Sequence, residues 1–203
     1  MQFDPTTLKW QDGYKLLTGA IVPRPIAFVS SISSTGVYNL AAFSFFTAVC
    51  ANPLAIGFTP MRRMDGSKKD TFNNIMETKQ FVVHVVTDAI VEAMNETAPE
   101  FPADIDEFSV SHLTPIKSTK VNVPRVKESP IALECELWQT VELGDGGPGS
   151  SSLVIGKVVQ IHVADELVED MKIDTAALHP VARLAGHHYT RVNSQTIFEL
   201  VRK

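Results

Sequence analysis

What most constrains this chain is a series of short apolar, β-branched runs closed by turn residues, with no intervening helix long enough for a parallel crossover. Residues 26–33 run as a strand into Ser34-Thr35-Gly36, residues 37–49 as a second, and residues 54–59 as a third after the Asn52-Pro53 break. Residues 81–86 are apolar almost throughout and read as a strand buried on both faces. Residues 131–143 and 153–163 alternate on either side of Asp145-Gly146-Gly147-Pro148-Gly149, the pattern of an antiparallel hairpin. Residues 196–200 are the last strand candidate. Short helices are expected over 70–76 and 88–96, and 101–119 reads as a loop with a short helix, an excursion outside the barrel. Six or seven strands with short peripheral helices predict a mostly β, antiparallel closed barrel, in one domain over residues 1–203.

Charge narrows the partners. The net charge is -5 and Lys and Arg are scattered, so there is no basic surface for a phosphate backbone and nucleic acid is not an expected partner. The amino terminus lacks a basic start followed by an apolar stretch, and no apolar run approaches the ~20 residues of a membrane span. A cytoplasmic protein without membrane association is the expectation. Cys50 and Cys135 lie in strand-like stretches with no CxxC pair, so buried free thiols are expected.

Three segments could carry chemistry. The first is the polar punctuation of the apolar strands: Ser30, Ser31, Asn39 and Ser44. Small residues let a planar ligand lie against backbone N–H and C=O groups. The same residues also suit ordinary turns and edges. The second is the basic loop 61–69, containing Gly66, Ser67, Lys68 and Lys69, which runs directly into the helix expected at Asp70-Thr71. Cations, hydroxyls and exposed helix N–H groups make an anion site suited to a terminal phosphate, although the loop also fits a solvated turn. It is not a Walker loop. The third is residues 180–189, ending in His187-His188-Tyr189. Adjacent histidines rarely point at one ion and no HxxxH spacing supports them, so a metal site is not expected. His187 and Tyr189 suit the rim of a cofactor site better. With no GxSxG, HExxH or dinucleotide fingerprint, reactivity borrowed from a cofactor is the simplest reading.

The ordered series Arg24-Pro25-Ile26-Ala27-Phe28-Val29-Ser30-Ser31, Gly36, Asn39-Leu40-Ala41, Phe43-Ser44-Phe45-Phe46 and Asn52-Pro53 resembles the opening half of the flavin reductase-like family, which includes flavoredoxin. Lys68-Lys69-Asp70-Thr71, Asn74-Ile75, Phe81-Val82-Val83, Leu153-Val154-Ile155-Gly156 and Pro180-Val181 with Arg183-Leu184 extend the likeness over nearly the whole chain. The chain departs from the family pattern at Ala42, Thr47, His84 and Ala185, where proline, asparagine, asparagine and glycine are common. His84 reads as a core histidine in preference to a site residue.

The resemblance implies an FMN-binding split barrel, a homodimer with one non-covalent FMN per subunit, often near the subunit interface. Ser30 and Ser31 would then contact the flavin or its ribityl chain, Asn39, Leu40 and Ala41 would line the ring, and Ser44 and Phe45 would follow. Lys69 and Thr71, with Ser67, would hold the phosphate. The implied activity is NAD(P)H-dependent flavin reduction, passing electrons to free flavin, a partner monooxygenase, iron or another acceptor. The alternative is a flavin-binding electron carrier with no nicotinamide site. No side chain is assigned as catalytic.

Overall fold

The structure is a computed structural model describing residues 1–201; the last two positions of the expected 1–203 domain lie outside the described residues. An amino-terminal helix, α1 (Trp10–Ala20), precedes β1 (Ala27–Ile32), β2 (Tyr38–Phe43), β3 (Phe46–Ala51) and β4 (Leu54–Phe58). Next come α2 (Asp70–Thr78), β5 (Gln80–Val85), α3 (Val91–Glu96), α4 (Glu107–Ser111), β6 (Pro115–Ile116) and β7 (Arg125–Val126). The long strands β8 (Ile131–Leu143) and β9 (Ser151–Val163) are followed by β10 (Val168–Glu169), β11 (Lys172–Ile173), α5 (Thr175–Leu178), β12 (Val181–Arg183) and β13 (Tyr189–Arg191).

Seven strands form one antiparallel sheet in the order β2-β1-β5-β8-β9-β4-β3. Its two edge strands, β2 and β3, are consecutive in the chain and separated only by Ser44 and Phe45. Two residues cannot span a flat seven-stranded sheet, whose strands lie about 4.8 Å apart, so the sheet must roll until its edges approach. The Phe43 ring of β2 accordingly packs against Phe58 of β4, with ring centroids 5.2 Å apart. Register shifts in β3 and β8 supply local bending. One buried cluster fills the interior with Val29, Ile56, Phe58, Phe81, Val83, Cys135 and Val154, and α2 caps it with Phe72 and Ile75. Gly156 of β9 is a spacer in that core, because a Cβ there would lie 2.3 Å from the Phe81 ring.

Most of the expected elements form, with three differences. The run 37–49 is two strands broken at Ser44-Phe45, and that break is what brings the sheet edges together. Residues 196–200 form no strand: the Thr196 and Ile197 N–H groups bond back to Asn193, and Phe198 is 82% exposed. β-Propensity makes a strand only where a partner offers a ladder. Helix α1 has no counterpart in the sequence reading. His84 is a satisfied core residue: fully buried, with Nδ1 3.0 Å from the Phe28 carbonyl and Nε2 accepting from the Val126 N–H at 3.0 Å. Burial lowers its pKa to about 4. Both thiols are free; Cys135 is buried as expected, while Cys50 is only half-buried.

Candidate functional site

The site is built on edge strand β2. Because β1 is its one neighbour, alternate backbone groups of β2 have no ladder partner. The Leu40 N–H is one of these, and by the two-residue repeat Ala42 points the same way. Leu40, Ala41 and Ala42 line a cavity of about 190 Å³ whose other walls include Lys69, Thr71, Glu107 and Tyr189. Ala42, Phe43 and Lys69 are shared with a neighbouring cavity of about 530 Å³, walled by Trp10, Tyr14, Ser44, Phe45, Met61 and Arg62. Together they make one cleft along β2, in which Trp10, Tyr14, Phe45 and Arg62 wall the larger cavity and Lys69 borders both.

Helix α2 supports this strand from behind. Thr71 and Asn74, three residues apart on one helical face, are both buried against β1 and β2. Thr71 Oγ1 donates to Asn39 Oδ1 at 2.8 Å, and Asn74 Nδ2 donates to Ser31 Oγ at 3.1 Å. Ser31 in turn donates to Asn39 Oδ1 at 3.0 Å. On the far side, Asn39 Nδ2 donates to Glu107 Oε1 at 2.8 Å and the Leu40 N–H to Glu107 Oε2 at 3.2 Å. Burial raises the Glu107 pKa above the ordinary carboxyl value, against the hydrogen bonds from Asn39 and Leu40.

The basic loop borders the cleft. The first-turn N–H groups of α2 lack intrahelical partners and Lys69 sits at its N-cap. Arg63 pairs with Asp70 at 2.6 Å and Lys69 with Glu100 at 2.6 Å. Arg62 and Lys68 converge on Glu142 at 3.0 and 2.7 Å. Arg62 Nε is buried with no hydrogen-bond partner among the described residues. The β8–β9 turn braces the loop through the Arg62 N–H, which donates to the Ser150 carbonyl at 2.9 Å. Gly149, at φ +89, lets the Trp10 indole sit on the same turn, where a Cβ would approach it to 3.0 Å.

The expected site residues therefore separate. Asn39, Leu40, Ala41, Ser44, Phe45, Lys69 and Thr71 come together in the cleft. Ser31 lies beneath it as a support, and Ser44 also accepts from Arg24 Nε at 3.3 Å. Ser30 does not line the cleft; its hydroxyl donates to the Pro124 carbonyl at 2.6 Å. Ser67 is exposed in the loop turn, its N–H bonded to Asp65. His187 and Tyr189 flank an adjoining cavity of about 670 Å³, where the Arg183 guanidinium lies 4.5 Å over the Tyr189 ring and donates to its hydroxyl. Sequence reading missed Trp10, Tyr14, Glu100 and Glu107. The i, i+4, i+7 spacing of Trp10, Tyr14 and Leu17 is the signal that marks α1. Glu107 lies in the segment 101–119 that reads as a loop with a short helix, and no local pattern marks its contact with Asn39.

Residues 19–182 match the family model of the flavin reductase like domain. The chain belongs to the flavin reductase-like family. This family member is similar to nitrilotriacetate monooxygenase component B from Bacillus cereus, with 42% identity, 98% of each chain covered and a TM-score of 0.93. It is also similar to the Pseudomonas fluorescens 2-nitrobenzoate 2-nitroreductase NbaA, at 29% identity over 100% of this chain and 96% of that one, with a TM-score of 0.88. A protein with a split barrel domain from Shewanella frigidimarina, at 24% identity, 99% and 100% coverage and a TM-score of 0.82, identifies the rolled sheet as that fold. A flavin reductase-like member is a flavin-related oxidoreductase, and its residues fit a flavin cofactor. The open backbone of β2 suits the edge of a flat heterocycle, and the buried Arg62 Nε, unpartnered among the described residues, and the start of α2 suit an anion.

Proposed function

We propose that the chain binds one FMN per subunit, without a covalent link, and uses it to carry electrons from NADH or NADPH to an acceptor. When bound, the flavin supplies the hydride-accepting and electron-donating chemistry. The protein's residues bind and orient it. In this reading Leu40, Ala41 and Ala42 face the ring, Asn39 is held in place by Ser31 and Thr71, and Ser44 and Phe45 line the continuation of the cleft. Arg62, Lys69 and the first turn of α2 hold the phosphate through charge-assisted bonds. His187 and Tyr189 shape the approach of the second substrate in the adjoining cavity.

The observation that carries this reading is the continuity of the open β2 edge with the Arg62 and Lys69 cations in one cleft. The deciding experiment is anaerobic mixing of the FMN-loaded protein with NADH or NADPH while the flavin absorbance is followed. Rapid bleaching supports the reductase. Persistence of the oxidised spectrum with both nucleotides would assign an electron carrier instead. Similarity to a component described as part of a monooxygenase makes a partner monooxygenase one candidate acceptor.

The reading also includes a cytoplasmic homodimer. Phe43, Phe45 and Phe46, whose apolar character in the sequence suggests a paired surface, are half-buried, with Phe43 and Phe46 packed on the core. The neighbouring strands β8, β9, β4 and β3 instead leave Trp138, Val141, Leu143, Ile161, Leu54 and Val49 exposed. No described helix is long and apolar enough to cross a membrane.

A further inference from the structure

We infer that Glu107 is a positioning residue for the flavin edge: its carboxylate fixes the Asn39 amide and the Leu40 N–H, and its charge favours the oxidised state of a flavin bound beside it. This inference rests on the FMN reading of the cleft. It follows first from the direction of the hydrogen bonds. Asn74 donates to Ser31, Ser31 and Thr71 donate to Asn39 Oδ1, and Asn39 Nδ2 donates to Glu107. An ionised carboxylate accepts only, so it can end this chain and take the Leu40 N–H as well. A glutamine at 107 would turn an amide N–H toward one of those two donors. The Asn39 side chain and the outward face of β2 would then lose their common anchor.

The second ground is charge. Glu107 is 8% exposed and has no cation within 4 Å among the described residues. Burying an unpaired carboxylate costs stability, and its partners here belong to the cleft strand. Asp70 on α2 adds negative field, while Arg63, Lys69 and Arg183 line the same cavity, Glu100 pairing with Lys69 at 2.6 Å and lying 3.8 Å from Arg63. A negative charge on the wall opposes accumulation of negative charge on a reduced flavin, which lowers its midpoint potential.

The test uses the full chain with Glu107→Gln and Glu107→Asp. FMN affinity is measured by fluorescence titration, and the potential of bound FMN by dye-coupled titration. Glu107→Gln should bind FMN about tenfold more weakly, the loss of a charge-assisted anchor, and raise the potential. Glu107→Asp should keep the low potential, with affinity between the two. A Glu107→Gln protein with wild-type affinity and potential overturns the inference. If that variant does not fold, Asn39→Ala decides: it should weaken FMN and leave the potential low, and unchanged affinity overturns the proposal. Wild-type protein that binds no FMN removes the FMN reading and this inference together, whereas wild-type binding with an indifferent Glu107→Gln removes this inference alone.

Discussion

The Glu100 carboxylate lies 2.6 Å from the Lys69 ammonium, on the cation that the sequence marks for a phosphate. Hydrogen bonding and charge from Lys69 lower the Glu100 pKa. The pair is part-exposed, so it is a modest competitor for an incoming anion. Glu100→Gln should tighten FMN by less than about fivefold and leave riboflavin unchanged. Lys69→Ala should weaken FMN much more than riboflavin, because riboflavin has no phosphate to lose, whereas Thr71→Ala should weaken both flavins, since its hydroxyl is committed to Asn39. Paired titrations of the two flavins check these outcomes, and equal weakening by Lys69→Ala counts against a phosphate at this loop.

For the adjoining cavity, His187→Ala or Tyr189→Ala should change the rate of flavin reduction by NAD(P)H, or the choice between nucleotides, with FMN affinity held within about a few-fold. Stopped-flow reduction per folded molecule is the measurement. If thermal stability falls and the kinetics stay the same, the segment is packing only.

His84 supplies a pH dependence. Its ordinary pKa of 6.5 falls to about 4 in the fold, chiefly through burial, so the native state holds it neutral. Its contribution is complete above pH 6.5 and drains away as pH falls toward 4. A shift of this size corresponds to about 3 kcal/mol. Urea unfolding at pH 7 and pH 4 should show that loss, and His84→Gln should flatten the difference while lowering stability at pH 7. An equally steep profile in the variant would place the pH sensitivity elsewhere.

Gly156→Ala should destabilise the fold by about 1–3 kcal/mol, because its Cβ would lie 2.3 Å from Phe81 Cζ and 3.2 Å from Cys135 Cβ. Chemical denaturation of the variant measures it. Phe81→Leu in the same background should restore part of the loss, and no restoration would mean that the ring is not the obstacle.

Light scattering at micromolar concentration should give the mass of a dimer with flavin bound. Trp138→Glu with Leu143→Glu should shift the protein toward monomer, since both side chains are exposed on β8. A wild-type monomer that retains FMN refutes the dimer.

The local chemistry of the sequence determined the strands themselves. Apolar runs such as 81–86 and the Gly-rich turn between β8 and β9 are short-range patterns, and they formed where periodicity placed them. The ordered motifs also identified the family. Long-range packing decided the rest. Whether residues 37–49 continued or broke depended on rolling the sheet, and whether 196–200 paired depended on a partner strand that was not there. Ser30 and Ser31 are neighbours of one kind in sequence, yet alternation along β1 turns one onto Pro124 and the other onto Asn39. Glu107 meets Asn39 across 68 residues. Its burial, raised pKa and place in the cleft exist only because the short helix α4 folds back over an edge strand, a contact that neither segment encodes alone.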